Sequence, residues 1–256
     1  MMNIAGYELE LLVIGFPGKG VCHGGLGWST IALLRGHGRV ALIDTGPMGM
    51  RRLLREELRR RGLAPADVTD LLLTHSHHDH SINWTLFPQA RIGIGAHELD
   101  WSLEQPWGET PVPELYMREL SSWPRLHRLA DGEEALPHLT AHVAPGHTPG
   151  HLIFVLQDAQ RDVIFTGDAA KTRAELVSRH ADMSYDQSVT AASIERIWSY
   201  WRRKPDSVVV PGHDLPMTQH EGQTRYLMSR KAAIEACFGD SLDESTLIDL
   251  TEAGQP

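Results

Sequence analysis

The chain has 256 residues, of which 41% are apolar and 22% charged, and its formal net charge is −9. That length and composition are typical of a globular protein with a sizeable core, and the negative charge argues against a nucleic-acid-binding surface, which is normally basic. Two widely separated cysteines and the lack of a long apolar run argue against a disulfide framework and a membrane span. The acidic N-terminal segment does not look like a signal peptide, so we expect a cytoplasmic protein.

Short apolar, β-branched runs recur along the chain and end in Gly, Pro, Asp or His, which is typical of strands that enter loops. These predicted strands are 7–15, 29–36, 39–46, 68–75, 90–96, 139–146, 152–158, 162–168 and 207–213. Helices are predicted at 48–63, 190–205 and 224–238. The alternation of strands and helices predicts an α/β sandwich with mixed sheets, which we interpret as a single domain over 1–256.

The segment 101–124 interrupts this alternation. It contains three Trp, one Tyr and four Pro within 24 residues, "WSLEQPWGETPVPELYMRELSSWP". One interpretation is a lid or a wall over a pocket, and the other is a surface loop anchored by its aromatic side chains. The sequence leaves both interpretations open.

Histidine is the residue type in excess, with 15 copies in the chain. The run "HSHHDH" follows a predicted strand and has the pattern H-x-H-x-D-H, formed by His75, His77, Asp79 and His80. Side chains two apart in an extended segment point to the same side, so His75 and His77 can converge on one point. Asp79 and His80, beyond the bend, can face a second point.

Three more candidate ligands, each preceded by a glycine, end later strands: His147, Asp168 and His213. A single histidine is more often solvated than ligating, but seven candidates at four strand ends favour a metal site. The predicted division is His75, His77 and His147 for one ion, Asp79, His80 and His213 for the other, and Asp168 as the bridge. Imidazole and carboxylate ligands suit two Zn²⁺ ions per chain, and Fe, Mn or Co are also compatible with them.

These motifs closely resemble those of the metallo-β-lactamase superfamily, whose signature appears as 75-HSHHDH-80 and whose later ligand positions match His147, Asp168 and His213. The resemblance implies an αββα four-layer sandwich with a dinuclear centre at one edge. Asp44, in "LIDTG", would hold a ligand histidine through its other ring nitrogen.

The branch of the superfamily is less clear. "APGHTPGH" resembles both the hydroxyacylglutathione hydrolases and the acyl-homoserine lactonases. The former carry a further C-terminal helical domain, for which the residues after His213 are too few. The latter have a tyrosine where this chain has Lys171, and Tyr185 could serve instead. The zinc β-lactamases have a lysine that Lys171 resembles, but a cysteine where Asp168 stands.

The resemblance implies a dinuclear-metal hydrolase in which a hydroxide bridging the ions attacks the carbonyl of a lactone, ester or thioester. Asp79 would orient that nucleophile and transfer its proton. The partner is then a small molecule, and an anionic one if Lys171 or Arg173 binds it. Alternatives are a zinc β-lactamase-like amide hydrolase, a mononuclear iron persulfide dioxygenase and a non-catalytic metal-binding protein.

Aromatic side chains of the segment 101–124 would supply an apolar wall of the pocket: Trp101, Trp107, Tyr116 and Trp123. His23, in a glycine-rich stretch, is a further candidate for the pocket lining. The sequence leaves open whether the protein is a homodimer.

Overall fold

The computed structural model describes residues 1–21 and 24–251. The strands are β1 Met2–Ile4, β2 Tyr7–Val13, β3 Lys19–Gly20, β4 Gly24–Gly25, β5 Ile31–Gly36, β6 Arg39–Ile43, β7 Asp70–Leu72, β8 Arg91–Gly95, β9 Leu126–Leu129, β10 Glu134–Leu136, β11 Leu139–Val143, β12 Leu152–Gln157, β13 Asp162–Gly167, β14 Val208–Pro211, β15 Met217–His220, β16 Gln223–Tyr226, β17 Ala233–Ala236 and β18 Thr246–Asp249. The α-helices are α1 Arg51–Arg60, α2 His78–Ser81, α3 Ala96–Leu103, α4 Glu114–Ser121, α5 Arg173–Ser178 and α6 Gln187–Trp201. All nine predicted strands are present.

Fourteen of the strands form two seven-stranded mixed sheets. The first has the order β1-β2-β5-β6-β7-β8-β9, and the second has the order β10-β11-β12-β13-β14-β15-β16. The connections β6-β7-β8-β9 and β13-β14 are parallel, and the other pairs in these sheets are antiparallel. In parallel pairs, the carboxyl ends of neighbouring strands meet at the same edge of a sheet.

Alternating side chains on the strands divide the core into three layers. On β12, Phe154 faces the layer between the two sheets, whereas Ile153 and Val155 face the layer that contains α6. On β5, Leu34 faces the layer between the sheets and Leu33 faces the layer with α1, α3 and α4. Because side chains alternate along a strand, two sheets stacked face to face need apolar residues on both faces and helices outside. The αββα four-layer sandwich is therefore confirmed.

Two of the predicted helices are present and one prediction is wrong. Helix 48–63 corresponds to a 3₁₀ turn at Met48–Met50 followed by α1, and helix 190–205 corresponds to α6. The segment 224–238 instead forms β16 and β17. The reason is tertiary: β16 completes the second sheet by pairing with β15, so neighbouring strands override the local helical pattern.

The aromatic segment 101–124 packs onto the body of the protein. It contains the end of α3 and all of α4, and Val112, Met117 and Leu120 are buried in the outer core of the first sheet. Tyr116 and Trp123 are partly buried against the same core. The segment is therefore anchored to the outer core of the first sheet. In the part of the chain that the structure describes, no helix is both long and apolar enough to cross a membrane.

Candidate metal centre

The seven predicted ligands lie at one edge of the sandwich, where strands of both sheets end. His75, His77, Asp79 and His80 follow β7 of the first sheet. The other three follow strands of the second sheet, β11, β13 and β14: His147, Asp168 and His213. A hydrogen bond from the Leu152 backbone N–H to the Thr74 backbone oxygen, 2.7 Å long, joins the two sheets beside this edge.

Ligand-type atoms of the seven side chains converge in three overlapping groups. Within each group the atoms lie within 4.8 Å of one another: His75, His77 and His147; His75, His80 and Asp168; Asp79, His80 and His213. The first and third groups are the two predicted triads. The middle group contains the predicted bridging carboxylate, so the structure brings all seven residues together.

Asp168 lies at the centre of this cluster. Its Oδ1 is 3.1 Å from His80 Nε2 and 3.3 Å from His213 Nε2, and its Oδ2 is 3.4 Å from His147 Nε2. Other nitrogens also approach closely, since His147 Nε2 lies 2.9 Å from His77 Nδ1. One carboxylate therefore contacts imidazoles of both triads.

The donor set fits divalent cations. Among the described residues, His75 Nε2 and Asp168 Oδ1 are buried side-chain atoms without a hydrogen bond. Buried polar atoms are normally paired, and an unpaired one is costly unless another partner, such as a cation, satisfies it. Imidazole nitrogens and carboxylate oxygens in this arrangement are ligands that Zn²⁺ and similar ions accept.

The three histidines of the first triad are held in the neutral form that binds metals. Burial lowers the pKa of His77 to about 4 and places the pKa values of His75 and His147 well below the ordinary value. Neutral imidazole has a free lone pair, whereas imidazolium has none. This triad therefore presents ligands without first having to lose protons.

The histidines of the second triad have raised pKa values, because two carboxylates face them. Burial lowers the pKa of His213, but the charge of Asp168 and the hydrogen bonds to Asp168 and Asp79 together outweigh burial and raise the pKa to about 9. Asp168 and Asp79 likewise raise the pKa of His80 well above its usual value. A cation bound here would replace these protons, so metal binding is accompanied by proton release.

Asp44 contacts one of the ligands directly. Its Oδ2 lies 2.8 Å from His80 Nδ1, and its Oδ1 accepts a 2.8 Å hydrogen bond from the Thr74 backbone N–H. With Nδ1 occupied, His80 turns its Nε2 towards Asp168. His151 accepts a 2.9 Å hydrogen bond at Nε2 from the Asp168 backbone N–H.

Two glycines allow the ligands to approach. A Cβ on Gly212 would lie 2.3 Å from Asp168 Oδ1, and one on Gly146 would lie 2.1 Å from Thr190 Oγ1. Gly146 also has a φ of +134°, a backbone conformation that favours glycine. The glycines before His213 and His147 are therefore required by close packing around the site.

Five of the seven ligands line an open pocket of about 680 Å³, namely His77, Asp79, His147, Asp168 and His213, whereas His75 and His80 are fully buried. The predicted substrate-binding residues differ in whether they line this pocket. Lys171 lines the pocket, where its Nζ lies 2.9 Å from Glu175 Oε1 and donates a 2.6 Å hydrogen bond to the Asp182 backbone oxygen. Arg173 does not line it: its Nε donates to Thr224 Oγ1, and its guanidinium lies over the Tyr226 ring on another face. Lys171 precedes the N-cap of α5, whereas Arg173 is the first residue of this helix, so their side chains leave the backbone in different directions.

The aromatic wall predicted from sequence is not part of this pocket. Among the described residues, the segment 101–124 contributes only Pro111 to the lining. Trp107 is exposed and lies under the Arg118 guanidinium, and Trp101 approaches the site only through His77, with ring centres 6.4 Å apart. Tyr116 and Trp123 pack on the outer core instead, because the two helices of this segment need an apolar face against the first sheet.

Two other residues were predicted to line the pocket, Tyr185 and His23. Tyr185 is exposed and is not among the lining residues that the structure describes; its backbone N–H donates to the Gly146 oxygen. His23 lies outside the described residues. Lys19 and Met183, which were not singled out from sequence, line the pocket, and Lys19 forms an ion pair with Asp182.

Glu98 is a further residue that the sequence analysis missed. It is completely buried on α3 and accepts hydrogen bonds from both ligand-bearing loops. No signal for its burial was present in the sequence, because Glu98 and Ser102, which are both buried on this helix, belong to residue types that are mostly exposed.

Sequence comparisons agree with this geometry. The model of the metallo-beta-lactamase superfamily matches residues 24–234. The N-acyl homoserine lactonase AiiA of Bacillus thuringiensis subsp. kurstaki is 25% identical over 160 residues, which cover 62% of this chain and 60% of that protein. Metallo-beta-lactamase domain-containing protein 1 of Rattus norvegicus is 31% identical over 180 residues, covering 68% of this chain and 61% of that protein. The chain thus spans about three fifths of the length of these relatives.

Solved structures show the same fold. An N-acyl homoserine lactone hydrolase with the product N-hexanoyl-L-homoserine at its catalytic metal center superposes with a TM-score of 0.65 at 19% identity, covering 83% of this chain and 94% of that one. AidC, a dizinc quorum-quenching lactonase, superposes with a TM-score of 0.64 at 17% identity, covering 88% and 92%. The family match, the four-layer fold and the cluster of histidines and aspartates agree, and the chain belongs to the metallo-beta-lactamase superfamily.

Proposed function

We propose that the protein is a dinuclear-metal hydrolase, with zinc as its metal, that opens a lactone or cleaves an ester or thioester of a small molecule. The observation that carries the proposal is the position of Asp168, whose carboxylate contacts His147 of one triad and His80 and His213 of the other. A shared carboxylate between two complete triads supports two ions. It favours a hydrolase over the mononuclear iron dioxygenase reading, which uses one ion.

The residues of the site would have distinct roles in the reaction. The seven ligands would hold the ions, which when bound supply Lewis acidity towards a carbonyl and lower the pKa of water. Asp79 is the most accessible of the ligands, lines the pocket and has Oδ2 3.3 Å from His213 Nε2. We assign to its carboxylate the orientation of the nucleophile and the transfer of its proton to the leaving group.

The pocket supports a small substrate that carries an anionic group. Lys171 and Lys19 face it from two sides, and each is paired with an acidic residue of the rim, Glu175 and Asp182 respectively. Apolar lining comes from Pro17, Pro111 and Met183. An acyl compound with an apolar chain and a carboxylate or carbonyl near the scissile bond matches this mixture, and the similarity to homoserine lactonases points in the same direction.

Lys171→Ala should raise KM for an anionic ester or lactone by about tenfold to a hundredfold, because a hydrogen bond to a charged group contributes about 1.5–3 kcal/mol. Its kcat should change less. The matched control is Arg173→Ala, two residues away and outside the pocket lining, which should leave KM unchanged. Steady-state kinetics with paired neutral and charged substrates measure both. Equal changes in KM for the two substitutions would show that Lys171 does not bind the substrate.

The proposal is tested with a substrate panel on protein of measured metal content. Protein loaded with two zinc ions per chain should hydrolyse acyl-lactones, aryl esters or thioesters, lose the activity to a chelator and regain it with Zn²⁺. The panel includes a β-lactam amide and glutathione persulfide. One iron per chain with oxygen uptake on the persulfide would establish the dioxygenase instead, and fully loaded protein inert towards every ester, lactone and thioester would refute the hydrolase proposal.

A further inference from the structure

Glu98 joins the two loops that carry the first histidine triad. Its Oε1 accepts hydrogen bonds of 2.8 Å from the Ser76 backbone N–H and 2.7 Å from Ser76 Oγ, and Ser76 lies between two ligands of the 75–80 loop. Its Oε2 accepts hydrogen bonds of 2.7 Å from Thr148 Oγ1 and 3.2 Å from the Gly150 backbone N–H. Thr148 directly follows His147. One carboxylate oxygen therefore holds each loop.

The surroundings of Glu98 make it an unusual residue for a purely structural role. It is fully buried, and in the described part of the chain no cation pairs with it. Burial raises the pKa of its carboxyl, and the hydrogen bonds from Thr148, Ser76 and Gly150 oppose that rise. All four partners are donors, so the site is built for a carboxylate, which accepts and does not donate. A buried anion is costly unless a nearby charge or hydrogen bonds compensate.

Close packing fixes Glu98 relative to both loops. It is the third residue of α3, which begins at Ala96 directly after β8. A Cβ on Gly150 would lie 2.1 Å from the Glu98 backbone nitrogen, so the 145–151 loop rests on the first turn of this helix. A carboxylate on a rigid element thus sets the distance between the loop of His75 and His77 and the loop of His147.

We propose that Glu98 is a positioning residue for one metal ion only, the ion held by His75, His77 and His147. The second triad has a separate support, since Asp44 contacts His80 directly. Outer partners of metal ligands are typically worth about 10–100-fold in metal affinity. The inference rests on the proposed dinuclear function and adds to it that the two ions are stabilised by different buried carboxylates.

Glu98→Gln keeps the shape of the side chain but turns an amide NH₂ towards the donors of one loop. The dissociation constant of one of the two zinc ions should rise about 10–100-fold, with the other unchanged. Competition with a chromophoric chelator measures both constants, and the visible spectrum of bound Co²⁺ should change for the weakened site. Asp44→Asn should weaken the other ion. Asp100→Asn, an exposed residue on the same helix, is the matched control and should change neither constant.

A double-mutant comparison assigns the effect to a triad. In a His213→Ala background, which retains the first triad, Glu98→Gln should still weaken the remaining ion by the full factor. In a His147→Ala background, the effect of Glu98→Gln on the remaining ion should disappear. Coupling of this kind is expected only between residues that act on the same site.

Thr148→Val, which removes one of the four donors, tests the same link if Glu98→Gln does not fold. It should weaken the same ion in the same two backgrounds, by a smaller factor, with an unchanged circular dichroism spectrum. Wild-type protein that binds fewer than two ions would overturn the dinuclear function and this inference with it. Wild-type protein with two ions, together with folded Glu98 or Thr148 variants of unchanged affinity, would overturn this inference alone.

Discussion

Asp168→Ala is expected to lower kcat/KM for any hydrolysed substrate by at least about 10³-fold, at the upper end of what loss of a single electrostatic contact costs. The carboxylate lies within 3.4 Å of three histidine nitrogens, so alanine removes the one anion that both triads share. Without this carboxylate both ions would lose a negatively charged ligand, and metal content should fall below two ions per chain. Steady-state kinetics and metal analysis of the same sample measure both effects.

Asp162→Asn is the matched control for this substitution. Asp162 is also buried and lies at the other end of the same strand, β13, where its Oδ1 pairs with Lys204 Nζ at 2.8 Å. Its replacement should reduce stability but leave metal content and kcat/KM of the folded protein unchanged. An Asp168→Ala protein with wild-type kinetics, or an equal loss of activity in Asp162→Asn, would contradict the central role of Asp168.

Phe154→Ala should reduce the free energy of unfolding by about 3–5 kcal/mol, the usual cost of truncating a buried aromatic side chain. Phe154, on β12, is fully buried between the two sheets. Its cross-strand partners are Ala141 on β11 and Phe165 on β13. A domain of ordinary stability has only about 5–15 kcal/mol in total. Urea-induced unfolding of the metal-free protein measures the loss without a contribution from bound ions.

The same variant should also weaken metal binding, because the ligands are divided between the two sheets that Phe154 holds together. Phe238→Ala provides the comparison: this side chain is 74% exposed, so its truncation should change stability by no more than about 0.5 kcal/mol. A Phe154→Ala protein as stable as Phe238→Ala would show that the layer between the sheets contributes little to stability.

Local chemistry made much of the fold predictable. Apolar runs that end in Gly, Pro, Asp or His identified strands such as β6, β7 and β13, because the strand period and the turn residues are encoded within a few positions. The histidines and aspartates at those strand ends could be recognised as candidate ligands for the same reason. The strand ends place the ligands of each sheet at one edge of that sheet, whereas the stacking of the two sheets brings the two sets of ligands together.

Orientation beyond the strand ends could not be predicted in this way. Lys171 and Arg173 are two residues apart and both cationic, yet only Lys171 lines the pocket, because Lys171 precedes α5 whereas Arg173 begins this helix and lies over the Tyr226 ring. The segment 224–238 has a helical pattern but forms strands, because an open edge of the second sheet offers β16 a partner.

By itself, the sequence determined the α/β class, nine of the eighteen strands that the structure describes and the seven candidate ligands, since these depend on periodicity and on residue types at strand ends. Only the tertiary structure decided which side chains face the pocket, where the aromatic segment packs, and that Glu98 links the loop of Ser76 to the loop of Thr148, which lies 50 residues after Glu98. Contacts of that kind depend on how the two sheets stack and on buried hydrogen bonds between distant segments. Such contacts join single residues that do not recur at a regular spacing, so no periodic pattern in the sequence predicts them.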